Sequence, residues 1–98
     1  MITVVKTDVF LKWLRSLRDI QAAARIQIRV DRLALGNPGD VKPVGEGISE
    51  MRIDHGPGYR VYFWQRGQVL IVLLCGGDKS TQDKDIKAAK SIAARWKE

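Results

Sequence analysis

From Val69 to Cys75 the chain runs through seven consecutive apolar residues, Val-Leu-Ile-Val-Leu-Leu-Cys, with Arg66-Gly67 shortly before them and Gly76-Gly77 directly after. The run is too short to cross a membrane as a helix. It is rich in β-branched residues and bounded by turn signals, so it reads as a strand buried on both faces. A strand of this kind needs partners on each side and cover above and below. The rest of the chain has to supply them.

Two neighbouring segments provide the first partners. Ile48–Asp54 and Tyr59–Gln65 alternate apolar with polar residues, and Gly56-Pro57-Gly58 breaks them apart. With Gln68–Cys75 they form an expected antiparallel meander. Met51 and Ile53 share a face with Tyr59, Val61 and Phe63 only if Ile53 stands opposite Tyr59. That register also places Arg52 opposite Arg60, and Glu50 opposite Tyr62. A two-residue turn at Arg66-Gly67 then pairs Arg60 with Leu73, and Gly76-Gly77 leads the chain out of the sheet. Arg52, Arg60 and Lys79 meet at one end, with His55 and Tyr59 nearby. Two opposed arginines repel unless an anion lies beside them. Glu50 is their expected salt-bridge partner, and Tyr59 is expected to face the core.

The remaining segments read as cover. Ile2–Val5 is a short strand. Val9, Phe10, Trp13, Leu14 and Leu17 recur at helical spacing behind a Thr7 or Asp8 cap. Asp19 opens a second helix, in which Ile26, Val30 and Leu33 form the apolar face and Arg25, Arg29 and Arg32 a solvated basic stripe. Gly36 stops it. Asp40–Gly47 is a connector with a short extended piece at Val41–Val44. Ser80 or Thr81 caps a last helix whose apolar face is Ile86, Ala89, Ala93 and Trp96, with Asp83 completing a box on Ser80. The order β-α-α-β-β-β-α makes a small α+β domain spanning residues 1–98.

Composition removes several functions. His55 and Cys75 are the single histidine and cysteine, so no zinc set or internal disulfide is expected, and no cofactor motif is present. Cys75 reads as a buried, inert thiol. No signal peptide or membrane span is apparent, and a cytoplasmic location fits. The formal charge of +6 suits an acidic partner such as nucleic acid or an acidic protein. The Gly76-Gly77-Asp78-Lys79-Ser80 turn could hold an anion, but a cap role for Ser80 is the preferred reading. A cluster of Arg52, Arg60 and Lys79, with His55 or Tyr62 to move a proton or stack on a base, suits metal-free RNA phosphodiester cleavage.

Glu50-Met51-Arg52-Ile53, Gly58-Tyr59-Arg60-Val61-Tyr62-Phe63 and Leu73-Leu74-Cys75-Gly76-Gly77-Asp78-Lys79-Ser80-Thr81-Gln82 carry a resemblance. Over essentially its whole length the chain resembles the RelE/ParE superfamily of type II toxin–antitoxin toxins. It is most similar to the HigB-like, phage-derived branch called addiction module killer proteins. The resemblance implies a ribosome-dependent mRNA endonuclease (an mRNA interferase) that inhibits translation without a metal. It also implies a cognate antitoxin, HigA-like with a helix-turn-helix, as partner. Arg60 matches the family's Tyr-Arg arginine, and Arg52 and Lys79 match basic positions. Glu50 stands where RelE toxins have a lysine, and Asp85 or Ile86 where they have a C-terminal tyrosine. His55 and Tyr62 are inferred replacements. The superfamily's ParE-like gyrase poisons, and non-catalytic RNA- or protein-binding relatives, are the alternatives.

Overall fold

The apolar run becomes the second strand in from the sheet edge, paired on both sides. The computed structural model describes residues 2–96; Met1, Lys97 and Glu98 of the expected 1–98 domain lie outside the described residues. The elements are β1 (Thr3–Lys6), α1 (Asp8–Ser16), α2 (Ile20–Ala34), β2 (Val41–Gly45), β3 (Ile48–Ile53), β4 (Tyr59–Arg66), β5 (Leu70–Asp78), a single 3-10 turn (Lys79–Thr81) and α3 (Gln82–Arg95). The sheet order is β1-β5-β4-β3-β2. β1 runs parallel to β5, and the other neighbours are antiparallel.

The fold is α+β, as expected, with helices on both sheet faces. Phe10, Ile26, Val30 and Leu33 of α1 and α2 pack on Met51, Ile53, Val61, Phe63, Ile71 and Leu73. On the opposite face Ile86, Ala89 and Ala93 of α3 cover Ile48, Tyr62, Leu70, Val72 and Leu74. β5 is therefore buried from both sides, which is why all of Leu70–Cys75 can be apolar. Local chemistry agrees at the helix starts. Thr7 caps α1 by accepting from the Phe10 N–H at 3.1 Å, and its own hydroxyl donates to the Leu74 carbonyl at 2.7 Å. Asp19 caps α2 by accepting from the Gln21 and Ala22 N–H groups. Each such cap contributes about 1 kcal/mol.

Four expectations change. The extended piece at Val41–Val44 is a full edge strand, β2, joined to β3 by a tight turn with Glu46 and Gly47 at positive φ. The β4–β5 turn holds three residues rather than two, since Arg66 pairs with Leu70. A bulge at Leu74 adds a further residue, so Tyr62 faces Cys75 while Phe63 faces Leu73. Arg60 consequently stands opposite Gly77, not Leu73.

The third change follows from this register. Gly76-Gly77 does not lead out of the sheet but belongs to β5. A Cβ on Gly76 would overlap the Trp13 ring, and one on Gly77 would overlap the Asp85 carboxylate. The glycines let α1 and α3 approach β5 from opposite sides. Fourth, of the two expected caps Thr81 and not Ser80 holds the N-cap position of α3, and it makes no side-chain cap bond. Asp78 caps the 3-10 turn, accepting from the Ser80 N–H at 2.8 Å and from its hydroxyl.

Candidate functional site

β3 and β4 bring the site together in the expected register. Arg52 pairs with Arg60, and Glu50 with Tyr62. All four side chains lie on the α3 face of the sheet, because Met51, Ile53 and Val61 occupy the other.

Glu50 is fully buried. Its Oε2 accepts from the Tyr62 hydroxyl at 3.0 Å and from Gln82 Nε2 at 2.8 Å. Arg60 Nε lies 3.7 Å from the same oxygen, an ion pair too long for a hydrogen bond. The Arg60 side chain is 11% exposed and that of Arg52 is 41% exposed. Arg52 Nη2 donates to Asp40 Oδ1 at 3.1 Å. Among the described residues, three buried side-chain polar atoms have no hydrogen-bond partner: Glu50 Oε1, Arg52 Nε and Arg60 Nε. Unmatched buried polar atoms are uncommon, and finding three in one cluster calls for an explanation.

Lys79 opens the 3-10 turn directly after β5 and is exposed. A Cβ on Gly58 would lie 3.7 Å from Lys79 Cβ, so Lys79 sits against the β3–β4 loop. Tyr59 pairs with Asp78 in the adjoining register. Lys79 thus shares the sheet end that carries Arg60. The neighbouring turn has no open N–H at Ser80 for an anion, because Asp78 occupies it. The Ser80 hydroxyl and N–H bonds hold the Asp78 carboxyl below the usual carboxylate range.

The two residues expected to move a proton have other partners. Tyr62 is fully buried, and its phenol is pushed far above its usual range by burial and by its bond to Glu50. It cannot stack on a base from that position. His55 Nε2 lies 3.0 Å from Asp19 Oδ2, tying the β3–β4 loop to the α2 cap and lowering the Asp19 carboxyl. Tyr59 is half-buried and meets Trp13 edge-on, 6.4 Å between centroids. Cys75 is buried, which pushes its thiol up to about 12. Among the described residues, no three His, Cys, Asp or Glu side chains are placed to hold a metal ion.

Sequence reasoning missed three contributors. Gln82 braces Glu50 from α3. Asp40 pairs Arg52. Arg29 is not part of a solvated stripe: it is half-buried, and its guanidinium donates to the carbonyls of Arg52 (2.6 Å), Pro38 (3.0 Å) and Asp40 (3.3 Å). Spacing along α2 could not separate Arg29 from its exposed neighbours Arg25 and Arg32. Gln82 closes the last of the segments that carry the resemblance, but nothing local gives it a partner.

The family described as "Phage derived protein Gp49-like (DUF891)" matches residues 12–97. An uncharacterized protein of Haemophilus influenzae is 54% identical over 92 residues, covering 94% of this chain and 93% of that protein. The chain belongs to the phage-derived Gp49-like family, which is of the RelE-like, addiction-module killer kind.

Proposed function

We propose that the protein is the toxin of a type II toxin–antitoxin module and a ribosome-dependent mRNA endonuclease acting in the cytoplasm. The supporting observation is the cross-strand Arg52–Arg60 pair, each with a buried Nε donor that makes no hydrogen bond. Guanidinium forks match phosphate geometry. In the proposed reaction the 2′-hydroxyl attacks the adjacent phosphorus as its proton passes to water, and the P–O5′ bond breaks with the 5′-oxygen taking a proton from water, which leaves a 2′,3′-cyclic phosphate and a 5′-hydroxyl. Charge grows on the non-bridging oxygens, where Arg52, Arg60 and Lys79 stabilise it. The reading asks no proton transfer of Tyr62 or His55 and uses no metal. A basic surface with Arg25 and Arg32 exposed beside Ile28 suits an acidic antitoxin.

The test is tightly controlled induction followed by mapping of message 5′ ends. Cuts inside translated codons, lost in Arg60→Ala and kept in Arg66→Ala at the far end of β4, support the reading. The loss expected for Arg60→Ala is about two to three orders of magnitude. Purified protein is expected to cut on pre-assembled ribosomes in excess EDTA. Growth arrest with DNA damage signalling and no cuts refutes it in favour of gyrase.

A further inference from the structure

We infer that Glu50 is a positioning residue that aims Arg60: its carboxylate, pinned by Tyr62 and Gln82, draws the guanidinium into place without hydrogen-bonding it. The substrate side of this inference rests on the RNA-cleavage reading; the geometry does not.

An arginine and a carboxylate left to themselves close into a short, often bidentate bond. Here they do not. Oε2 already receives two donors, from β4 and from the first turn of α3, and Arg60 Nε stops at 3.7 Å. Oε1 and Arg60 Nε both remain unmatched. With only 11% of the Arg60 side chain exposed, little water screens the pair, so the attraction fixes direction without consuming the donors. Glu50 also offsets the repulsion between Arg60 and Arg52, while Asp40 does so for Arg52 from the other side. Among the described residues, Asp85 is the other carboxylate that acts on Tyr62, and it is engaged by the Thr81 hydroxyl. Complete burial keeps Glu50 from touching substrate. It therefore works through Arg60.

This arrangement has a signature that a structural salt bridge lacks. The Glu50 charge attracts Arg60 but repels a phosphate arriving on it. Glu50→Gln keeps the shape and an oxygen that can accept from Tyr62 and Gln82. It should bind programmed ribosomes several-fold more tightly, while the single-turnover cleavage rate falls by about 100-fold, as for other misplacements near 1 Å. Tyr62→Phe and Gln82→Met keep the charge and loosen the pin. They should slow cleavage with little change in half-saturation. An activity-free readout is the 15N-resolved Arg60 Nε–H signal, titrated with inorganic phosphate. The parent should show a distinct, slowly exchanging signal that moves with phosphate. In Tyr62→Phe the signal should merge with those of exposed arginines. In Glu50→Gln it should respond at lower phosphate.

If Glu50→Gln weakens binding along with the rate, or leaves both unchanged, the inference is overturned. An Arg60 signal indifferent to Tyr62→Phe also overturns it, and this arm holds even if Glu50→Gln does not fold. If the parent never cuts RNA, the nuclease reading fails while the Arg60 signal still decides the positioning.

Discussion

Gly77→Ala puts the fold and the site under one perturbation. The Gly77 backbone is not in the left-handed region, so the substitution carries no backbone strain. The new methyl meets side chains instead: it overlaps Asp85 Oδ2 and comes within 2.7 Å of the Asp85 carboxyl carbon and 2.8 Å of Thr81 Oγ. Asp85 lies in the first turn of α3 and Thr81 directly precedes that helix, so that end of the helix must lift from β5. Overpacking of this kind costs about 1–3 kcal/mol. Losing the Thr81–Asp85 hydrogen bond adds about 1 kcal/mol. A total of about 2–4 kcal/mol lowers the melting temperature of a domain this size by about 10–30 °C. The lift also moves Gln82 away from Glu50, so cleavage should fall in the protein that remains folded. Urea unfolding followed by tryptophan fluorescence gives the stability. Asp85→Ala removes the obstructing carboxylate, so in the double variant at least half of the loss should return. Gly67→Ala is the control, since it has positive φ but nothing within 4 Å and should cost only about 1 kcal/mol. A Gly77→Ala protein as stable as the parent, or a double variant no better than the single, refutes the claim that β5 and α3 need this glycine.

Three further outcomes are expected. Arg29→Met should cost about 2 kcal/mol in urea unfolding, because three carbonyls lose a charged donor, whereas Arg25→Ala should be neutral within 0.5 kcal/mol. The raised Tyr62 phenol contributes stability that is fully present below its ordinary value of 10.0 and is lost as pH rises above it, because the folded state keeps a proton the unfolded chain gives up. Stability should therefore fall steadily as pH rises above 10, and Tyr62→Phe should remove that fall in pH-dependent melts. Cys75 adds a second such slope between 9.0 and about 12, which Cys75→Ala should remove in pH-dependent melts. Asp40→Asn should alter ribosome binding at low salt and lose that effect at high salt, since its pair with Arg52 is exposed; an effect independent of ionic strength would contradict this.

Which parts of this were readable beforehand follows from where side chains carry a two-sided pattern. The β3–β4 register could be read because Met51, Ile53, Val61 and Phe63 must face one core, and a one-residue slip would expose all of them. β5 offers no such parity signal, being apolar on both faces. Its register therefore depended on the turn after Arg66 and on the Leu74 bulge, and neither has a local signature in this sequence. The longer turn shifts the pairing by an odd number of residues and the bulge by one more, so the far end of β5 returns to phase. That is why Lys79 still emerges beside Arg60 although Leu73 was the wrong partner. The Gly76-Gly77 pair misled for a related reason. Adjacent glycines signal a turn as readily as close packing, and the closeness of Trp13 and Asp85 is a tertiary fact.

The two arginines are held in unlike ways, and the difference follows from where each carboxylate comes from. Asp40 precedes β2 at the sheet edge, in water, and its pair with Arg52 is surface-exposed on both sides. Such a pair is weak, salt-sensitive and easily rearranged. Arg29 stiffens the backbone around it by holding the Arg52 and Asp40 carbonyls. Glu50 sits under α3 with no exposed surface, and its pull on Arg60 is screened by little more than protein. Arg60 is thus a fixed donor and Arg52 an adjustable one, 41% exposed against 11%. Under the proposed RNA-cleavage function, the adjustable arm would make the first contact with a phosphodiester entering from solvent, while the fixed arm would already be oriented when charge develops. A cluster with both arginines exposed would spend binding energy on ordering them. One with both buried would leave the phosphate no way in.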